Sequence, residues 1–213
     1  MINRRSFVAG GAAAAVALAG GAAVVDARFK TVTRTFSNTT SITLPGDGIA
    51  TPYPSTISVS GLKKGKIQKV RVSLNGFNYN VPDDIDILLS ASQLPGVNTI
   101  LMSDVGSAIA AANVNLVLDD AAASPLPDLG PLVSGTYKPA DYNGSPDDWP
   151  SPAPTPTGNT LLSVFNGANP NGDWQLWVND WMGNGPGNIA GGWSIEITAQ
   201  VKVKKKKHKK RKH

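Results

Sequence analysis

Between residues 70 and 201, apolar residues return at every second position in one segment after another, a pattern that leaves a chain few ways to fold. Val70, Val72 and Leu74 share one face, as do Ile85, Ile87 and Leu89, and then Val114, Leu116 and Leu118. Trp174, Leu176 and Val178 follow, and finally Trp193, Ile195, Ile197, Ala199 and Val201. Successive side chains of a strand point to opposite faces, so this alternation predicts half-buried antiparallel strands. Turn signals stand between the sets: Pro45-Gly46-Asp47-Gly48, Lys64-Gly65, Asn75-Gly76, Pro95-Gly96, Asn143-Gly144 and Asn171-Gly172. Gly183-Asn184-Gly185-Pro186-Gly187 reads as a hairpin connection, because a phosphate loop would need a Lys-Ser/Thr pair and a following helix. Only residues 107–112 have a helix-like composition. The expected fold is all-β, an antiparallel β-sandwich or jelly roll. Residues 141–160 contain Pro146, Pro150, Pro152, Pro154 and Pro156 and are expected to form an ordered crossing loop or an extended polyproline segment inside one domain.

The two ends do not share this pattern. Residues 1–27 begin with Arg4-Arg5, continue through Ala, Gly and Val, and reach Val25-Asp26-Ala27, where small residues suit a signal peptidase. Asn3-Arg4-Arg5-Ser6-Phe7-Val8 resembles the twin-arginine export signal, and the weakly apolar, Gly-rich run behind it suits that route. Such a run is a poor permanent span, so the expectation is cleavage and a secreted, extracytoplasmic location with no transmembrane segment left. The body, residues 28–201, is long enough to bury about two thirds of its unfolded surface as one domain. It has no cysteine, so its core must hold without disulfides.

Residues 202–213 read KVKKKKHKKRKH. The whole chain has 20 Lys and Arg against 15 Asp and Glu, a net of +5. Nine of those cations are Lys202, Lys204, Lys205, Lys206, Lys207, Lys209, Lys210, Arg211 and Lys212. In the body nine cations face 14 acids, which leaves it at −5. The tail is therefore a separate electrostatic object, and its repelling charges with nothing to bury predict disorder. It lacks aromatics on which bases could stack. It reads as a solvated solubility tail or as a handle for an anionic cell-envelope polymer or lipid headgroup. Specific nucleic-acid binding ranks behind both, since an exported chain meets little organised nucleic acid.

Tyr53-Pro54-Ser55, Val59-Ser60-Gly61-Leu62, Val81-Pro82-Asp83-Asp84-Ile85-Asp86-Ile87-Leu88-Leu89 and Leu101-Met102-Ser103-Asp104 stand in order along the body. Leu118-Asp119-Asp120-Ala121-Ala122, Ser134-Gly135-Thr136-Tyr137-Lys138-Pro139, Phe165-Asn166-Gly167, Asn169-Pro170-Asn171-Gly172-Asp173-Trp174 and Gly191-Gly192-Trp193-Ser194-Ile195-Glu196-Ile197 continue the series. Together these segments resemble the P domain, or P/Homo B domain, of the subtilisin-like proprotein convertases, a β-sandwich also found in bacterial exported proteins. The resemblance spans residues 36–198 and implies a jelly-roll, galactose-binding-like sandwich with an accessory role beside a protease, not cleavage itself. Tyr79 departs from the His common in bacterial members, Val81-Pro82-Asp83 replaces an Arg-Gly-Asp, and no catalytic domain precedes the match.

The residues available for chemistry agree with an accessory role. His208 and His213 both lie in the tail, and the body's one Glu is Glu196, so neither a Ser-His-Asp nor a Cys-His arrangement can be assembled there. Zinc loses its usual nitrogen and sulfur ligands. Ser58 and Ser60 with Lys63, Lys64, Lys66 and Lys69 could form a Ser-Lys dyad only if a lysine were desolvated, and lysines around a Gly65 turn are solvated. Aspartates at strand ends either bond nearby backbone amides or give oxygen ligands to a hard cation. The family resemblance implies calcium, with Asp84, Asp104, Asp120 and Asp180 as the candidate ligands.

Trp174 and Trp193 fall in phase with the buried face. Trp177 is out of phase, and Trp149 and Trp181 lie in predicted loops. These three are candidate contacts for a sugar ring or protein partner, although a Pro-rich loop folded over Trp177 would bury it. The expectation is a non-catalytic, exported binding or structural module. An accessory subunit of a serine endopeptidase and a carbohydrate-binding module are the alternatives.

Overall fold

The computed structural model describes residues 29–143 and 149–203. Thirteen strands cross it: β1 (Phe29–Asn38), β2 (Ile42–Leu44), β3 (Gly48–Ile49), β4 (Ser55–Val59), β5 (Lys66–Tyr79), β6 (Ile85–Ala91) and β7 (Asn98–Ser103). There follow β8 (Ala111–Leu118), β9 (Gly135–Tyr137), β10 (Ala140–Asp141), β11 (Gly172–Asp180), β12 (Gly187–Ile189) and β13 (Trp193–Lys202). The only helical pieces among the described residues are two 3₁₀ turns, Pro82–Asp84 and Leu162–Phe165.

The strands form two sheets. In the first, β5 is flanked on one side by β13 and, further along, β12, and on the other by β8; β1 lies outside β13, β2 outside β12 and β9 outside β8. In the second, the order is β10, β7, β6, β11, and the free edge of β11 is shared by β4 and β3. Most pairs are antiparallel, as alternation predicts, but β7–β10 and β8–β9 are parallel. Every alternating set named from the sequence turns inward. Val72, Leu74, Ile85, Ile87, Leu89, Leu116, Leu118, Trp174, Leu176, Trp193, Ile195, Ile197 and Ala199 are fully buried between the sheets. The fold is an all-β sandwich.

Three local expectations need correction. Asn75-Gly76 is not a turn: it lies inside β5, where the register against β8 shifts between Leu74 and Phe77. Gly76 takes φ +67° there, its amide is taken by Asn115 Oδ1, and its carbonyl accepts from the amide of Ala190. The side-chain and backbone partners hold a bulge where an isolated dipeptide would reverse direction. The 183–187 segment is not a hairpin either, since β11 belongs to the second sheet and β12 to the first, so it carries the chain from one layer to the other. Residues 107–112 form no helix, because Ala111 already opens β8. Among the described residues no helix is long and apolar enough to cross a membrane.

Every residue of β6 and of β7 is buried, on both faces. The outward residues Leu88, Ile100 and Trp177 pack with Trp149, Tyr53 and Ala153 in a second apolar cluster outside the sandwich core. The Pro-rich segment forms the cover: Asn98 holds it through Thr157, and the Tyr53 hydroxyl donates to Pro150 O at 2.9 Å.

Candidate functional site

The strand ends near Tyr79 gather six aspartates, Asp47, Asp83, Asp84, Asp104, Asp141 and Asp180. Antiparallel pairing sets Asp180, the last residue of β11, opposite Ile85 on one side and Gly48 on the other. Asp180 is fully buried and accepts a short hydrogen bond from the Tyr79 hydroxyl, while the amide of Met182 approaches its Oδ1 at 3.4 Å. Asp84, 5% exposed, ends a 3₁₀ turn made possible by Pro82 at its start, and its Oδ2 accepts from the Asn184 side chain. The Trp181 amide donates to Asp84 O at 3.3 Å, which ties the two segments together. Asp104 sits just past β7 in the left-handed region, φ +51°, and accepts from Ser103 Oγ at 3.1 Å. Across from Ser103 stands Asp141, whose Oδ1 is buried with no hydrogen-bond donor on it.

Their electrostatics follow from this crowding. Burial raises the carboxyls of Asp83, Asp84, Asp141 and Asp180 above the usual range. Asp104 adds to the rise at Asp83, Asp84 and Asp141, Asp180 to that at Asp84, and Asp47 to that at Asp180. Among the described residues, no Lys or Arg is among the charges acting on any of the four. Burial, and then the bond to Asp180, push the Tyr79 hydroxyl far up as well, so it stays a donor.

Three of the four residues expected to take calcium, Asp84, Asp104 and Asp180, therefore share this end. Asp120 does not join them. Its two carboxylate oxygens accept from the amides of Leu162 and Ser163, each at 2.8 Å, and so cap the 3₁₀ turn Leu162–Phe165. The backbone-bonding role of a strand-end aspartate prevails there. The oxygen-only donor set suits a hard cation. No three His, Cys, Asp or Glu side chains among the described residues are grouped to grip a metal.

The opposite end of β5 is basic. Lys63 and Lys64 lie exposed in the turn after β4, and Lys66 opens β5, paired with Gln200 of β13. Lys202, opposite Phe29, leaves the sandwich at this same end. Lys69 and Arg71 are turned to account internally: Lys69 Nζ lies 2.8 Å and Arg71 Nε 3.0 Å from Asp119 Oδ2. Burial pushes the Asp119 carboxyl up, but the Lys69 bond, the Ala121 amide and the two positive charges outweigh it and hold it low. Lys69, Asp119, Asp120 and Ser163 line a cavity of about 180 Å³. The tail residues Lys204, Lys205, Lys206, Lys207, Lys209, Lys210, Arg211 and Lys212 lie outside the described residues, as do the signal-like residues 1–27.

Of the three tryptophans expected at a contact surface, only Trp181 is exposed, at 55%, beside Met182 at 48%. Trp177 is 4% exposed: its Nε1 donates to Ser90 Oγ at 2.8 Å and Tyr53 meets its ring edge-on at 5.0 Å. Trp149 is buried in the same cluster. The loop that covers the outer face of the second sheet takes both rings out of reach. A groove of about 400 Å³ beside Pro54, Pro152, Pro154 and Gln175 shows only a sliver of Trp177, too little to stack a sugar.

Sequence reasoning missed Tyr79, Asn184 and Asp141 as members of the acidic end. Tyr79 is out of phase with Val70, Val72 and Leu74, and only the bulge at Asn75-Gly76 turns it inward with Phe77, so the alternation signalled neither its burial nor its hydroxyl's partner. Compared with family models, with curated proteins and with solved structures, the chain finds no match in any of the three.

Proposed function

We propose that this protein is an exported, non-catalytic β-sandwich module that docks on an anionic polymer or membrane surface at the cell envelope, as its resemblance to P domains and its tail suggest. One observation carries the reading: exposed Lys63, Lys64 and Lys66 surround the point where Lys202 leads into the cationic run. The body's exposed lysines and the start of the cationic run thus lie at one end, and a like-charged patch concentrates counter-charged surfaces. The shortage of catalytic groups in the body is consistent with this role.

The test is co-sedimentation of the purified protein with vesicles of neutral lipid, with and without anionic lipid, and in parallel with an immobilised anionic polymer. Binding is expected only to the anionic partners, and it should fade toward about 1 M salt, where the Debye length falls to about 3 Å. Equal binding to neutral vesicles, or binding unmoved by salt, would sink the reading.

A second reading is calcium at this end, with Asp84 and Asp180 as ligands and Asn or backbone oxygens completing the shell, favoured by the buried Asp180 charge that adds to the rise at Asp84. Calcium would offset that charge. A thermal midpoint that rises with calcium but not with magnesium supports it, and an unchanged midpoint removes it.

A further inference from the structure

The acidic end also carries the sandwich's exposed Trp. Ile49, 42% exposed, pairs with Asn179, and Trp181, 55% exposed, follows one residue past the end of β11, so both stand at this end of the second sheet. Met182 extends the patch, and exposed Asp47 and half-buried Asp83 lie at this end with the buried Asp84, Asp104 and Asp180 behind them. An apolar surface with carboxylates around it fits long cationic side chains, which lay their methylene stems on apolar groups and keep their charged heads outside. Trp is also the best ring for a cation to sit over. The same molecule holds such a partner in residues 204–212, eight cations in nine positions.

Distance decides which copy supplies it. β5 runs 14 residues from Lys66 at the basic end to Tyr79 at the acidic end, roughly 43 Å at about 3.3 Å per residue. The cationic run starts beyond Lys202, past the Lys66 end of β5. Fully stretched, the five residues from Lys202 to Lys207 span at most about 18 Å, and the ten to Lys212 about 36 Å. Within one molecule even a fully extended run therefore falls short of the distance to Trp181. A neighbouring molecule suffers no such limit.

We propose that the patch formed by Ile49, Trp181 and Met182 with its surrounding aspartates is a docking surface for residues 204–212 of a second copy of this chain. Donor and acceptor surfaces lie at opposite ends, so the contact is head-to-tail and leaves one free end of each kind. Such a heterologous contact does not close on itself as a two-fold dimer does, and it extends into open-ended chains. This goes beyond adhesion to a surface and does not depend on it.

Sedimentation of the purified protein at low salt, with a chelator present so that calcium plays no part, tests the proposal. The weight-average mass should climb with concentration past that of a dimer and return to the monomer at about 1 M salt. Two variants separate the ends: Trp181→Ala with Asp47→Asn removes the surface, and Lys205→Glu, Lys207→Glu and Lys210→Glu cuts the charge of the run from +8 to +2. Both change exposed or tail positions, and thermal melts matching the parent verify their folding. Each alone should remain monomeric, whereas a mixture of the two should form a complex that stops at one copy of each. A parent protein that stays monomeric at every concentration overturns the proposal. So does association that persists in either variant, or a mixture that fails to pair. Vesicle binding by the Trp181 variant is expected to equal the parent's, so loss of self-association and loss of surface adhesion are read separately.

Discussion

Tyr79 shows how much of the acidic end depends on one hydroxyl. It is the side-chain donor to the fully buried Asp180, so Tyr79→Phe would leave a carboxylate oxygen buried and unsatisfied. Such a loss costs about 1–3 kcal/mol, and urea unfolding of the variant should show a midpoint lowered accordingly. The raised carboxyls also fix a pH dependence. Asp83, Asp84, Asp141 and Asp180 hold protons more tightly folded than unfolded, because burial penalises their charged forms. Their stabilising contribution is therefore complete below the unfolded value, about 3.9, and is lost as pH rises through the higher folded values. Asp119, held low by Lys69 and Arg71 against its burial, acts in the opposite sense, with a contribution present above about 3.9 that is lost in stronger acid. The expected result is a urea midpoint that falls as pH is raised from about 4, with a shallower fall in Asp84→Asn. A midpoint that climbs over that window would contradict this account.

At the scale of elements, the connections decide more than the strands do. Residues 149–159 convert the outer face of the second sheet from a solvent face into a second buried layer that includes Trp177. Trp177→Ala should cost about 3–5 kcal/mol, as removal of a buried aromatic does, and limited proteolysis should then cut within residues 149–160. Asp120→Ala takes the cap off the turn Leu162–Phe165, where the two freed amides make a loss of about 1–2 kcal/mol expected from denaturant melts. The turn between β12 and β13 tolerates even less. Gly192 has φ +64°, and a Cβ there would overlap Asn38 O and come within 2.7 Å of Thr40 O, so Gly192→Ala should destabilise more than either loop change.

Taken whole, the molecule is polarised along β5, with Lys63, Lys64 and Lys66 at one end and Asp47, Asp83, Asp84, Asp104 and Asp180 at the other. A molecule so polarised meets a charged surface in one orientation. Lys63→Glu with Lys64→Glu should weaken binding to anionic vesicles, whereas Asp47→Asn should leave it unchanged or stronger. A gain from Asp47→Asn as large per unit charge as the loss from the lysine changes would mean that net charge, and not its placement, governs binding.

The alternation at residues 70–201 was enough to specify strands, their inward faces and an all-β sandwich, because period two is a local property of a pleated chain. Composition likewise located the cationic run and the absence of thiol and body imidazole. Partners were another matter. Asp84, Asp120 and Asp180 look alike in sequence, each an aspartate at a strand end, yet one accepts from Asn184, one caps a turn and one is buried under Tyr79. Asn75-Gly76 carries a strong turn signal and still forms a bulge, since Asn115 and Ala190 occupy its backbone groups from neighbouring strands. Trp177 and Trp181 are both out of phase with the core, and only a loop contributed from elsewhere in the chain separates the buried ring from the exposed one. Local pattern thus determined which face each residue takes, while contacts between residues distant in sequence decided what meets that face.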